Sequence, residues 1–305
     1  MMAQVGLRQA LKKVLPAAVT KALVNAENYG QRLAACAIVA RCIRGRTVAD
    51  ARVVRKSLAR APVHLLRNLD VYREPMLIAD AEVVSKGLGI FAVRGNCDDL
   101  GHVLLPYFSA MFDCIGENVK EGDVVIDAGA NLGAVTVFLA QQVGISGKVL
   151  TVEMMPATAT QLRRNIVLNN LHNVTVVEKA LAEKPGMTVT ADVEAGMHGQ
   201  ASIARAADGR ERHSLNVLTT TIDEIAAGLG EIALIKLDLE GAEPNALRGA
   251  NATLPRVRAI VFESWHGGDS DETARILRSA GFVITPVDGR NWLARRRQPV
   301  EKAFA

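Results

Sequence analysis

With 305 residues, 49% of them hydrophobic and 22% charged, the chain is long enough to bury a large core as one big domain or two smaller ones. No apolar run approaches the roughly 18 residues of a membrane span; the longest early one, 33–40, stops at Arg41. The net charge of +4 is unevenly placed: residues 1–67 hold 13 Lys+Arg against Glu27 and Asp50, whereas the remainder is acidic, so an anionic partner is expected for the first segment.

Residues 5–67 carry apolar positions at helical spacing with basic residues between them. Val5, Leu11 and Leu15 fit a first helix that Pro16 interrupts, and Leu33, Ala37 and Ile38 fit another. Two readings stand for this segment, a basic surface lying on anionic membrane or a helical layer with solvated charges. No secretory core is evident in the first 15 residues, so a cytoplasmic protein, at most peripheral to a membrane, is expected. Cys36, Cys42, Cys97 and Cys114 lack CxxC spacing and read as small hydrophobes, not as a disulfide framework or a zinc site.

From 76 to 94 the pattern "MLIADAEVVSKGLGIFAV" reads as short strands or a hairpin, and 100–118 as helix. The chain then alternates. "DVVIDAG" is a strand and 133–142 a helix; "GKVLTVE" is a strand and 156–168 a helix; "NVTVVEKAL" is a strand. Later, "IALIKLDLE" and "VRAIVFESW" are strands around a short helix at 244–250. "DETARILRSAG" is a helix, and "FVITPVDGRNWLARR" a closing hairpin. Buried strands alternating with amphipathic helices predict an α/β fold with a mostly parallel sheet covered on both faces. The expected division is a basic helical extension over 1–70, a lead-in over 71–118 that covers an acceptor site, and a main domain over 119–305.

The stretch "VVIDAGANLG" ends a buried strand on Asp127 and turns at Gly129 and Gly133, where the backbone must bend sharply near a ligand. Such a turn alone is a weak signal. The next strand, 148–152, ends on Glu153 about 20 residues later, where an acid accepts hydrogen bonds from ribose hydroxyls. The ligand is therefore expected to be a nucleoside. A carboxylate at the entrance of the turn repels a pyrophosphate and pairs with an ammonium. S-adenosylmethionine carries that ammonium and NAD does not.

The blocks "VIDAGANLG", "VEMMPATATQLRRNIVLNNLHNVTVVEKALAE", "VLTTTIDEI", "LIKLDLEGAEPNALRGA" and "IVFE", in this order over roughly residues 100–290, resemble the FkbM family of S-adenosylmethionine-dependent methyltransferases. The first 70 residues lie outside the resemblance, and Glu153 is followed by "MMP" where members often show an aromatic or a Glu-Pro version. The resemblance implies a class I methyltransferase (Rossmann-like) fold of seven strands with the last antiparallel. It places Asp127, Gly129, Asn131 and Gly133 along the methionine half of the cofactor and Glu153 at the ribose. Ala180 falls against adenine, with Glu178 or Lys179 nearby.

In that fold the strand bearing Asp238 lies beside the one bearing Asp127, so "IKLDLEGAE" brings Asp238, Glu240 and Glu243 to the same crevice. Asp238 is the expected catalytic carboxylate, orienting the cofactor or taking a proton from a substrate hydroxyl, with Glu240 beside it. Pro244 suits the first turn of the following helix. In "FESWHGGD", Glu263 together with Asp238 forms a candidate Mg²⁺ site, and His266 is a candidate general base because its ordinary pKa is near neutral. Lys236, inside the strand, reads as structural. His198 and His213 are candidate lid residues.

The expected activity is O-methylation of a sugar, polyketide or lipid-linked glycan hydroxyl. RNA methylation is the second reading, weakened because Tyr29 is the only Phe, Trp or Tyr in the basic segment and base stacking therefore has no platform. A catalytically silent nucleoside-binding or assembly protein is the third. The sequence carries no signal of oligomeric state.

Overall fold

The computed structural model describes residues 16–67, 75–107, 109–194, 201–203, 212–264 and 271–296. The chain forms two compact units, one ending at Tyr107 and the other beginning at Phe108.

In the first unit, α1 (Ala17–Cys42) is followed by β1 (Ile43–Gly45), α2 (Val48–Arg67), β2 (Ala81–Ser85), β3 (Gly89–Val93) and the short α3 (Asp99–His102). Helix α1 contains the expected Leu33, Ala37 and Ile38; the earlier Val5, Leu11 and Leu15 lie outside the described residues. The three strands make an antiparallel sheet in the order β1-β2-β3, with β2 and β3 joined as the expected hairpin. Helix α2 starts where Thr47 and Asp50 exchange hydrogen bonds: the Asp50 carboxylate accepts from the Thr47 amide and hydroxyl, and the Asp50 amide donates back to Oγ1. The second Asp50 oxygen accepts the Glu82 amide, which ties the helix start to β2. Asp99 is fully buried and takes a forked pair from Arg94 at 2.8 Å on each oxygen. Burial pushes the neighbouring Cys97 thiol up to about 12, so that it stays protonated as a small apolar side chain.

The expected single helix over 100–118 is instead three pieces: the end of α3, a 3₁₀ turn at Leu105–Tyr107, and α4 (Met111–Asn118) in the second unit. Pro106, which has no amide to donate, stands at the break.

The second unit continues with β4 (Val124–Ala128), α5 (Ala134–Val143), β5 (Lys148–Val152), α6 (Pro156–Leu168) and β6 (Val174–Val177). After these come β7 (Ala180–Leu181), β8 (Thr188–Glu194), β9 (Arg212–Thr220), α7 (Ile222–Ile225) and β10 (Ile232–Leu237). The last elements are α8 (Glu243–Arg248), β11 (Val257–Glu263), α9 (Glu272–Ser279), β12 (Phe282–Pro286) and β13 (Asn291–Arg296). Seven strands form one sheet in the order β12-β13-β11-β10-β4-β5-β6. Neighbours from β6 to β11 are parallel, while β13 runs antiparallel to both β11 and β12. This is the class I methyltransferase arrangement, and the closing hairpin is β12–β13 with its last strand inserted inside the sheet edge.

The composition of the strands explains their places. All six residues of β10 are buried, which requires cover on both faces and puts "IALIKL" at the centre. Edge strand β12 alternates inward and outward after Phe282. Helix α9 begins at an Asp271 cap that accepts the Thr273 and Ala274 amides. Pro244 lies in the first turn of α8, as expected.

Two local expectations change. "NVTVVEKAL" is not one strand: it breaks at Glu178–Lys179, and Ala180–Leu181 leave the main sheet to pair with β9. The β8–β9 antiparallel pairing, with β7 added beside β9, forms a second small sheet. The candidate lid residue His213 is exposed within β9; His198 lies outside the described residues.

Candidate active site

Three neighbouring parallel strands bring acids to their carboxyl ends, Asp127 within β4, Glu153 just past β5 and Asp238 just past β10, because each apolar run stops where the chain leaves the core. Asp127 is the fourth residue of β4 and fully buried. Its Oδ2 accepts the Thr136 hydroxyl of α5 at 2.6 Å, and its Oδ1 lies 3.8 Å from Lys236 Nζ with no hydrogen-bond partner. Burial pushes the Asp127 carboxyl up, against the Lys236 charge and the Thr136 hydroxyl, which pull it down.

The turn after β4 relies on positive φ at three positions: Gly129 (83°), Asn131 (51°) and Gly133 (97°). At Gly129 a side chain has no room, since a Cβ there falls 1.9 Å from the Asp238 carbonyl oxygen. The turn is thus pressed against the end of β10, where the Asp238 amide donates to the Ala128 carbonyl at 3.1 Å. Asn131 accommodates a left-handed backbone better than other side chains. Both polar atoms of its amide are buried and without a hydrogen-bond partner. Glu153, just past β5, accepts the Asn131 amide on Oε2 and the Met155 amide on Oε1, both at 2.9 Å. Burial pushes its carboxyl up and these two amides pull it down.

Lys236 lies at the centre of this arrangement. Its side chain is 6% exposed. Nζ donates to the Gly129 carbonyl at 2.9 Å and lies 3.3 Å from Asp238 Oδ2. Burial works to push this ammonium down, and the carboxylates of Asp238 and Asp127 outweigh it, holding it above the ordinary lysine range. The structural reading of Lys236, a lysine reaching towards acid partners, matches its places beside Asp127 and Asp238, and the residue also links the glycine turn to Asp238. A lysine inside an otherwise apolar strand was the available signal.

Asp238, Glu240 and Glu263 offer carboxylate oxygens that all lie within 4.8 Å of one another. Glu240 adopts φ 53°, and its carbonyl accepts the Ser202 hydroxyl at 2.9 Å. Glu243 has a different use: it is buried and accepts the Leu239 amide at 2.6 Å, closing the "DLEGAE" connection. Glu263 ends β11 with Arg290 Nη1 at 3.8 Å. Burial first, and then the charges of Asp238 and Glu240, push its carboxyl from the ordinary 4.5 to about 8. Ala180 is buried in β7 in a small cluster with Ala191 and Val217, against which Met154 and Met155 pack. Nearby Glu178 pairs with Arg163 at 2.7 Å. His266 lies outside the described residues.

A carboxyl whose folded pKa is raised binds a proton that the unfolded chain releases, so its titration lowers stability as pH rises from about 4.5 through about 8. In EDTA, thermal melts are expected to show a fall in Tm across that window. Glu263→Gln should flatten the Glu263 part of it. An unchanged slope in that variant places the proton elsewhere.

S-adenosylmethionine suits the donor set of this turn. The Asn131 side-chain amide and Asp127 Oδ1 are buried polar atoms in need of partners. Each Glu153 oxygen, having accepted one amide, keeps capacity for a ribose hydroxyl.

A curated methyltransferase of Sordaria araneosa, sdnD, is 26% identical over 199 residues, covering 55% of this chain and 76% of that protein. The 31-O-demethyl-FK506 methyltransferase FkbM of Streptomyces tacrolimicus is 26% identical over 200 residues, with the same coverage of 55% and 76%. Among solved structures, an S-adenosylmethionine-dependent O-methyltransferase of Thermotoga maritima is 14% identical, with a TM-score of 0.41 over 78% of this chain and 83% of its own. The methyltransferase FkbM domain matches residues 127–284. From Asp127 at the glycine turn to the outer strand β12, just over half of the chain is that domain, and the chain belongs to the FkbM family of S-adenosylmethionine-dependent methyltransferases.

Proposed function

We propose that the enzyme methylates a hydroxyl group of a sugar, a polyketide or a lipid-linked glycan. The observation that carries this reading is the group of three carboxylates, Asp238, Glu240 and Glu263, at the ends of β10 and β11 beside the cofactor turn. When bound, S-adenosylmethionine supplies an electrophilic methyl on a sulfonium, so the protein has to align an oxygen nucleophile and accept its proton. The name of the relative from Streptomyces tacrolimicus, a 31-O-demethyl-FK506 methyltransferase, also favours oxygen.

In this reading Asp127, Gly129, Asn131 and Gly133 hold the methionine half of the cofactor, Glu153 the ribose, and Ala180 the adenine face. Asp238 turns Oδ2 to Lys236 Nζ, 3.3 Å away, and takes the acceptor proton on Oδ1. Glu240 and Glu263 orient the hydroxyl next to it. A second reading rests on the same trio: three carboxylate oxygens within 4.8 Å suit a divalent cation such as Mg²⁺, which lowers the pKa of a bound hydroxyl.

The test is transfer from methyl-labelled S-adenosylmethionine to panels of free sugars, polyketide alcohols and lipid-linked glycans, with and without EDTA. A labelled methyl ether is the expected product. Label on RNA or on nitrogen, or cofactor binding with no acceptor in any panel, overturns the proposal. Loss of turnover in EDTA, restored by Mg²⁺, selects the cation over the free carboxylate base.

A further inference from the structure

Helix α2 belongs to the first unit and carries none of the candidate site residues. Its inner face is made by Val54, Ser57 and Leu65, which are buried. At 3.6 residues per turn, Arg52, Lys56, Ala59 and Val63 fall within about 60° of one another on the opposite side, with Val48, Arg55, Arg60 and Leu66 flanking them. All eight are exposed, and the aliphatic ones deeply so: Val48 is 68%, Val63 53% and Leu66 54% exposed. The only acid in the helix is Asp50, already held at its first turn by Thr47 and the Glu82 amide. On α1, Val19 and Leu23 add two more exposed aliphatic residues one turn apart, with Lys21 between them in sequence.

Single exposed aliphatic residues are ordinary on a solvated surface, but here Val48, Val63 and Leu66 share one side of the helix with four basic residues, so a partner for this side has to accept both aliphatic tips and positive charge. One surface satisfies both. Anionic lipid attracts the basic groups and takes the aliphatic tips below its headgroups, while the Lys and Arg stems lie along the interface. No helix among the described residues is long and apolar enough to cross a membrane, so this contact is made in the plane of the surface. Nucleic acid matches the charge but leaves the aliphatic residues without a role.

We infer that the outer face of α2 is a docking surface for anionic phospholipid, which holds the enzyme at a membrane. The inference stands independently of which acceptor is methylated.

The test is co-sedimentation of the full chain with phosphatidylcholine vesicles, with and without phosphatidylglycerol, over a range of salt. Binding is expected only with phosphatidylglycerol present and is expected to weaken as salt rises. Lys56→Glu/Arg60→Glu should lower partition by at least about 25-fold, taking about fivefold per lost basic residue. Val63→Ser/Leu66→Ser should lower it several-fold with the salt dependence kept. Circular dichroism and S-adenosylmethionine binding check that both variants fold. Three results overturn the inference: no binding to anionic vesicles; binding indifferent to Val63→Ser/Leu66→Ser, with an RNA oligonucleotide bound at least as tightly; or self-association through this face in place of lipid binding.

Discussion

Asp238→Asn is expected to lower turnover by about 10²- to 10⁴-fold, the usual loss on removing a general base, while S-adenosylmethionine still binds. The main chain fixes where residue 238 stands. Its amide is hydrogen-bonded to the Ala128 carbonyl and its own carbonyl abuts Gly129, so neither anchor depends on the side chain. Its carboxylate is 37% exposed, against 0% for Asp127, which makes it the member of this pair that can meet an acceptor. Asparagine keeps the shape and an oxygen for Lys236 but takes no proton. Turnover measured beside calorimetric cofactor binding separates the proton from the fold. An asparagine variant with full turnover removes Asp238 from the chemistry. If the three carboxylates hold a cation, Glu263→Gln should do comparable damage, and both variants should lose their response to added Mg²⁺.

The parts of this site visible in the sequence are those that one strand carries by itself. An apolar run ending on an acid declares a strand and its exit, and Asp127, Glu153 and Asp238 all stand at such exits, at the carboxyl ends of neighbouring strands in one sheet. Features that depend on separation in space were not visible. Nothing in the order of residues says that Lys236 Nζ comes within 2.9 Å of the Gly129 carbonyl, since the two stand 107 positions apart. The β8–β9 pairing was missed for a related reason. "TVTADVE" has a strand's alternation, but its partner begins 18 residues beyond its end, too far for a turn signal to join them. The same limit applied to Glu178–Lys179, where pairing with β9 draws Ala180 away from the main sheet.

Lys236→Met is expected to destabilise the protein by about 3–5 kcal/mol, the cost of leaving a buried charge without its partner. Asp127 is the charge left behind: it is fully buried, Thr136 satisfies only one of its oxygens, and Lys236 Nζ is the cation facing the other. Removing both charges in Asp127→Asn/Lys236→Met should therefore restore most of the loss, because two buried charges that compensate each other contribute little net stability. Cofactor affinity should behave differently. In the double variant the Gly129 carbonyl still lacks its donor and Asp238 Oδ2 its neighbour, so the turn and the strand end bearing Asp238 are no longer linked. A weakening of S-adenosylmethionine binding by about tenfold, the worth of one charge-assisted hydrogen bond, should persist in calorimetry after Tm has recovered. The pH dependence gives a second readout. The Lys236 pKa is raised above 10.5, so its contribution is fully present below that value and is lost only at higher pH, as the ammonium titrates in the folded state. The wild-type minus Lys236→Met difference should then stay level through neutral pH, in contrast to the fall attributed to Glu263. If the double variant recovers cofactor affinity together with stability, Lys236 is a counter-charge and no more. If affinity stays below that of Asp127→Asn alone, which controls for the lost carboxylate, Lys236 is the residue that holds the glycine turn against the strand bearing Asp238.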